Sequence, residues 1–224
     1  MKRTIVLLLM ILTSFFANAY EVSPIYQLLE TVGDKSQSTY TIKNIEHEDI
    51  VVEVFVYGVE IINGEELLTS ADKEFLVLPP QAKVKAGGYQ KFRIRYLSAQ
   101  ALDQTKPYRV IFKQIKLNKP LQDVSEVEML IDFSTLAYVS PPKTEAKPIA
   151  WIENDQLVIR NQGQRVLDLG QMTFEFKTEK GNESTTWERF ANQAGLYLLP
   201  GYNAILSLDG ELSNAQAVEI DYQP

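Results

Sequence analysis

The residue types that do chemistry in proteins are thinly represented in this sequence. Histidine occurs once, at His47, inside the acidic turn Glu46-His47-Glu48-Asp49, and there is no cysteine. A lone imidazole in a solvated turn has no second soft ligand with which to share a metal, and there is no thiolate to act as a nucleophile. A Ser/His/Asp relay needs its histidine held between a serine and a carboxylate, which that turn does not offer. The acid pairs Glu46/Glu48 and Glu65/Glu66 read as neighbouring surface charges, and a glycosidase pair is not recognisable from one sequence. No Gly-rich phosphate loop or zinc motif occurs, and Asn182-Glu183-Ser184 fits a glycosylation sequon that chance often produces. The expectation is a protein that is not an enzyme, carries no metal or cofactor, and works by contact.

The pattern that most invites contact lies at residues 125–139, just before Ser140-Pro141-Pro142. Val127, Met129, Ile131 and Phe133 recur at every second position, which places them on one face of a strand, with Glu128, Asp132 and Ser134 on the other. Periodicity leaves two readings open. The apolar row either lies in the core of its own domain or is offered to another protein, because a long apolar edge strand needs a cover or a client.

The ends and the charge bound where such a strand works. Lys2-Arg3, the apolar run of residues 5–12 and Ala17-Asn18-Ala19 have the layout of a secretory signal peptide cut before Tyr20. The apolar run is shorter than the roughly 20 residues of a spanning helix, so an exported protein that is not membrane-embedded is expected. The whole chain carries a net charge of -7; removing residues 1–19 leaves 20 basic against 29 acidic residues, a charge of -9. Such a balance gives no electrostatic reason to bind nucleic acid or an anionic membrane. About 205 mature residues suffice for one large or two modest domains without disulfides.

Strands are expected at residues 22–29, 39–44, 50–57, 75–78, 92–97 and 108–115, with turns at Gly33-Asp34-Lys35, Asn63-Gly64, Gly87-Gly88 and residues 118–120. With a short extended piece near Val84 and the 125–139 stretch as the last member, paired with 108–115, about seven strands are expected, the number of an immunoglobulin-like sandwich. Residues 141–148, Pro-Pro-Lys-Thr-Glu-Ala-Lys-Pro, form a polar, proline-rich linker suited to a fixed elbow. The β pattern resumes at 157–161, 165–169, 172–176, 195–199 and 204–208. The predicted organisation is an all-β chain of two immunoglobulin-like sandwiches joined at an elbow: signal peptide 1–19, first domain 20–140, linker 141–148, second domain 149–224.

This combination resembles the PapD-like periplasmic chaperones of the chaperone/usher pilus pathway. The residues that carry the resemblance are Phe75-Leu-Val-Leu-Pro79-Pro80, Gly87-Gly88, Phe92-Arg93-Ile94-Arg95, residues 108–112, and the strand and elbow of residues 127–141. The resemblance implies that the last strand of the first domain fills the open groove of a pilus subunit, an incomplete sandwich, through Val127, Met129, Ile131 and Phe133. It also implies delivery of subunits to an outer-membrane usher and a periplasmic location; whether the free protein pairs with itself through the same strand is left open by the sequence.

Better-known members of that family anchor the subunit's C-terminal carboxylate with an Arg in the first strand and a Lys at the end of the last. Here those positions fall on Tyr26 to Leu28 and on Leu136, all uncharged. Arg93, Arg95, Arg109 and Lys113 are the candidate cleft or interdomain cations, with Arg93 matching a family arginine that supports the domain interface. The missing pair is similar to what a divergent archaic or alternative branch would show. The rival readings are a secreted immunoglobulin-like binding or adhesion module, whose last strand faces its own core, and, more distantly, an exported enzyme with unrecognised carboxylates.

Overall fold

The computed structural model describes residues 20–115 and 130–224. The predicted signal peptide, the turn at 118–120, Val127 and Met129 lie outside the described residues.

In chain order the first half holds β1 (Tyr20–Ser23), β2 (Tyr26–Glu30), β3 (Gln37–Asn44), β4 (Ile50–Ile62), β5 (Glu65–Ser70), β6 (Phe75–Leu78), β7 (Gln81–Val84), β8 (Tyr89–Tyr96), β9 (Lys106–Ile115) and β10 (Asp132–Ser140). One sheet has the order β1-β3-β8-β6; the facing sheet runs β2-β10-β9-β4-β5, with β7 also pairing β4. Alternation explains the sandwich: Val52, Val54 and Val56 of β4 and Tyr108, Val110 and Phe112 of β9 point inward and are buried. From the other sheet Tyr40, Ile42, Phe92 and Ile94 meet them. Phe112 sits edge-on to Tyr40 at 5.0 Å and to Phe92 at 6.0 Å, the ring geometry that aromatic quadrupoles favour.

The single strand expected over residues 22–29 is two strands in opposite sheets, divided at Pro24. A proline cannot donate to a ladder, so the chain crosses between sheets where that donor is absent anyway. The expected strand at 50–57 runs on to Ile62, turns at Asn63-Gly64 with φ of 54° and 85°, and returns as β5. Positive φ at both central residues is the type I′ hairpin geometry that Asn-Gly favours.

In the second half are β11 (Pro148–Glu153), β12 (Gln156–Asn161), β13 (Leu167–Asp168), β14 (Met172–Thr178), β15 (Gly181–Thr186), β16 (Tyr197–Leu198), β17 (Asn203–Ser207) and β18 (Ala217–Tyr222). They form the sheets β11-β12-β17 and β15-β14-β18 and the short pair β13-β16. The buried side chains of Leu157, Ile159, Phe174, Phe176, Trp187, Phe190 and Leu206 make a second core, separate from the first. The chain is thus two β-sandwiches in tandem.

Candidate functional site

β10 holds Phe133, the last residue of the apolar row, and Ile131 stands immediately before the strand. β10 pairs antiparallel with β9 from Asp132 to Val139, but β2 covers its other side, in parallel, only from Leu136 to Ser140. Leu136 donates its backbone N–H to the Ile25 carbonyl at 3.1 Å, and the Ser140 carbonyl accepts from Thr31 at 3.0 Å. Even-numbered residues therefore direct their main-chain groups away from β9. By the same alternation the N–H and C=O of Asp132 and Ser134 point along the outer edge, where no strand is paired among the described residues. Among the described residues, the first half of β10 is an open sheet border.

The face alternation expected for this strand holds: Asp132 and Ser134 are exposed, whereas Ile131 and Phe133 are half-buried. Those two apolar residues pack against the first domain's own core, Phe133 edge-on to Tyr20 at 4.7 Å. The Tyr20 hydroxyl donates to the Ile131 carbonyl at 3.0 Å and to the Phe112 carbonyl at 2.6 Å, and Ile131 N–H donates to Gln114 Oε1 at 3.2 Å. Ile131 and Phe133 therefore already serve their own domain in part.

The four candidate cations go to different places. Arg93 and Arg95 are exposed on the outer face of β8, in the sheet that does not contain β10. Lys113 is exposed on β9 opposite Asp132 and Glu53. Arg109 alone faces the space between the domains. It lies opposite Leu136 and makes two bonds to Glu66, Nε to Oε2 at 2.9 Å and Nη2 to Oε1 at 2.7 Å. The hydrogen bonds and opposite charge hold the Glu66 carboxyl below, and the Arg109 guanidinium above, their ordinary values.

Beside Arg109 a cleft of about 200 Å³ is lined by Glu66, Pro107, Leu136, Tyr138, Tyr197 and Tyr202, among others. Tyr197 of the second domain packs on Tyr26 at 5.0 Å and Tyr138 at 5.3 Å. Desolvation, followed by the neighbouring Tyr26, pushes the Tyr138 phenol up to about 12, so it is a hydrogen-bond donor throughout the physiological range. Leu136 and Tyr26, the uncharged residues at the two expected anchor positions, are direct partners in the sheet.

The cation that crosses the domain boundary is Arg165, which sequence reading placed in an ordinary strand. Its Nη2 reaches Glu30 at 2.9 Å and its Nε reaches the Thr144 carbonyl at 2.8 Å. Buried Thr105 adds a polar hub: its hydroxyl meets Ser140 Oγ at 2.8 Å and accepts from Val166 N–H at 2.8 Å. Burial makes such bonds geometrically demanding, so the elbow is a fixed one. No spacing in the sequence pairs Glu30 with a residue 135 positions away.

His47 is exposed in its turn, and no group of three or more metal-ligating side chains exists among the described residues. No helix among those residues is long and apolar enough to cross a membrane.

Known proteins match this architecture along nearly its whole length. The class 5 fimbriae chaperone CfaA aligns with a TM-score of 0.59 at 15% identity, covering 92% of each chain. The Escherichia coli chaperone DraB aligns with a TM-score of 0.58 at 14% identity, covering 92% of this chain and 99% of its own. A chaperone–tip adhesion subunit pre-assembly complex of archaic chaperone-usher Csu pili from Acinetobacter baumannii aligns at 0.52 and 17%, covering 85% and 91%. At such identities the likeness establishes the fold. No curated protein matches the sequence. The family described as pili and flagellar-assembly chaperone, PapD N-terminal domain, matches residues 26–142, just over half of the chain, and the protein belongs to that family.

Proposed function

We propose that the protein is a periplasmic chaperone that binds pilus subunits by donor-strand complementation and passes them to an outer-membrane usher, after removal of a signal peptide near Ala19/Tyr20. The observation that carries this reading is the outer edge of β10 at Asp132 and Ser134, where main-chain groups have no strand partner among the described residues. A subunit strand laid there gains ladder hydrogen bonds, each worth about 0.5–1.5 kcal/mol net. In this reading residues 20–140 are the subunit-holding domain, 141–148 the linker and 149–224 the second domain.

The apolar row supplies the rest. Val127 and Met129 continue in sequence the face occupied by Ile131 and Phe133, and burying each fully contributes roughly 1.5–3 kcal/mol. Ile131 and Phe133 contribute less, because their own core already covers part of them. Arg109 with the Tyr26 and Tyr138 hydroxyls is the group we assign to the subunit's carboxylate end, Arg93, Arg95 and Lys113 lying elsewhere.

Ser134→Pro tests the reading with little disturbance to the fold. It deletes an N–H that points outward at an edge, where proline is tolerated, and leaves the β9 ladder intact. Tagged full-length protein recovered from periplasm should carry pilin-like subunits identified by mass spectrometry. The proline variant should lose them while melting within a few degrees of wild type, and Ser134→Ala should retain them. Survival of the complex in Ser134→Pro, or absence of any such subunit from the wild type, would favour the self-contained binding module.

A further inference from the structure

A second sheet border lies at the opposite side of the same sheet. β9 accompanies β4 only as far as Gly58, and β5 pairs β4 alone, so residues 60–67 run on beyond buried Val59 as a two-stranded ribbon closed by Asn63-Gly64, with Ile61 and Ile62 lining a cleft shared with Leu199, Pro200 and Tyr202 of the second domain. Such a ribbon is marginal in water by itself. It nevertheless carries Ile61 at 40%, Ile62 at 51% and Leu67 at 49% exposure, with Leu68 at 40% just past its end. Cross-strand pairing places Ile61 with Leu68 on one face and Ile62 with Leu67 on the other.

The free edge of β5 has no strand beside it among the described residues. Ile62 and Glu65 close a two-residue hairpin and so bond each other, which turns the main-chain groups of Glu66, Leu68 and Ser70 outward. Of the usual protections of an exposed edge, a proline, a lysine and a bulge are absent from Glu65–Ser70, and the charges present are the acids Glu65 and Glu66. From residue 58 to 72 every charge is negative: Glu60, Glu65, Glu66 and Asp72. Glu60 and Glu65 lie on the face of Ile62 and Leu67, while Glu66 is committed to Arg109.

We propose that the β4–β5 ribbon is a second docking site, which takes an extended segment of a partner protein as an added strand along β5, its alternate lysines or arginines meeting Glu60 and Glu65 on one face and its intervening apolar residues covering Leu68 on the other. The open half of β10 lies on the far side of β9 and β4, so the two borders can be occupied together. The ribbon site stands on its own observations, whatever β10 binds.

The probe is a fluorescein-labelled nonapeptide of alternating lysine and valine, titrated into the mature full-length chain by anisotropy, with amide hydrogen exchange to locate it. Saturable binding is expected, with slowed exchange at Leu68 and Ser70. Leu68→Pro, which removes an outward N–H and no β4 bond, and Glu60→Lys/Glu65→Lys should each weaken it at least tenfold. Ser134→Pro should leave it unchanged, which separates failure here from failure of the β10 reading. Should Leu68→Pro unfold, the charge-reversed variant decides alone. No saturable binding, protection at Asp132 and Ser134 instead of β5, insensitivity to the variants, or dimerisation of the free chain through β5 would overturn the proposal.

Discussion

Gly163→Ala is expected to loosen the elbow and cost on the order of 3 kcal/mol of stability, the sum of several lost hydrogen bonds and a displaced linker. A Cβ at Gly163 would collide with the Glu145 carbonyl oxygen and fall 2.6 Å from the Lys147 nitrogen, both backbone atoms that cannot rotate aside. The linker must therefore move. In doing so it gives up the bonds from Gln162 N–H to Lys147, at 2.9 Å, and from Gln164 and Arg165 N–H to Glu145, at 3.1 and 3.2 Å.

The damage spreads through Asn161, which is fully buried. Its Oδ1 accepts from Lys147 and Gly163 N–H, and its Nδ2 donates to the Arg165 and Leu198 carbonyls at 2.7 and 3.1 Å. Displacing the linker leaves a buried acceptor short of partners and withdraws the Thr144 carbonyl from Arg165. Urea denaturation should show the loss of stability, and small-angle scattering should show a wider spread of domain orientations. A Gly163→Ala protein with wild-type unfolding and scattering would mean that the linker has slack. A chaperone with a flexible elbow should also hold its client less well, because β2, β10 and the cleft residues of both domains meet there.

Much of this plan was legible in the chain. Strict alternation located β4, β8, β9, β12, β14 and the faces of β10, because inward residues on those strands have no alternative burial. The Asn63-Gly64 turn was equally clear, yet its return strand was missed, since Glu-Glu-Leu-Leu-Thr-Ser lacks alternation. All six of its residues are exposed, so no core selects their pattern. The hairpin joining β11 to β12 turns on Asn154-Asp155 with φ of 50° and 58°, a pairing signal that went unread among polar neighbours.

The elbow was legible only as composition. That Pro141 to Pro148 is stiff follows from its prolines; that Gly163, Asn161 and Arg165 clamp it does not, because each contact joins residues whose separation carries no period. The basic residues show the same limit. Arg93, Arg95, Arg109 and Lys113 were all candidates for the cleft between the domains, but which strand face meets the other domain depends on how two sandwiches meet. Only Arg109 is on that side, and its bond to Glu66 makes it a shared cation and not a free one.

Phe133→Ala, finally, separates what a domain keeps from what it offers. Phe133 is half-buried, edge-on to Tyr20 and packed on the first core, so truncation should cost about 2–3 kcal/mol, below the range for a fully buried phenylalanine. Tyr20 would lose its ring partner, and its hydroxyl bonds to Phe112 and Ile131, which fix where the chain enters β10, would slacken. Thermal unfolding should therefore fall by several degrees in the absence of any client, whereas Ser134→Ala on the opposite face should leave it unchanged. If Phe133 belonged to the client alone, the free variant would melt like wild type. The contrast with Ser134→Pro is what matters: one substitution should weaken the fold and, through it, the complex, while the other removes the complex from an intact fold. A strand that does both jobs must be held firmly at its inner face and left unpaired at its outer edge, and β10 has that division at Phe133 and Ser134.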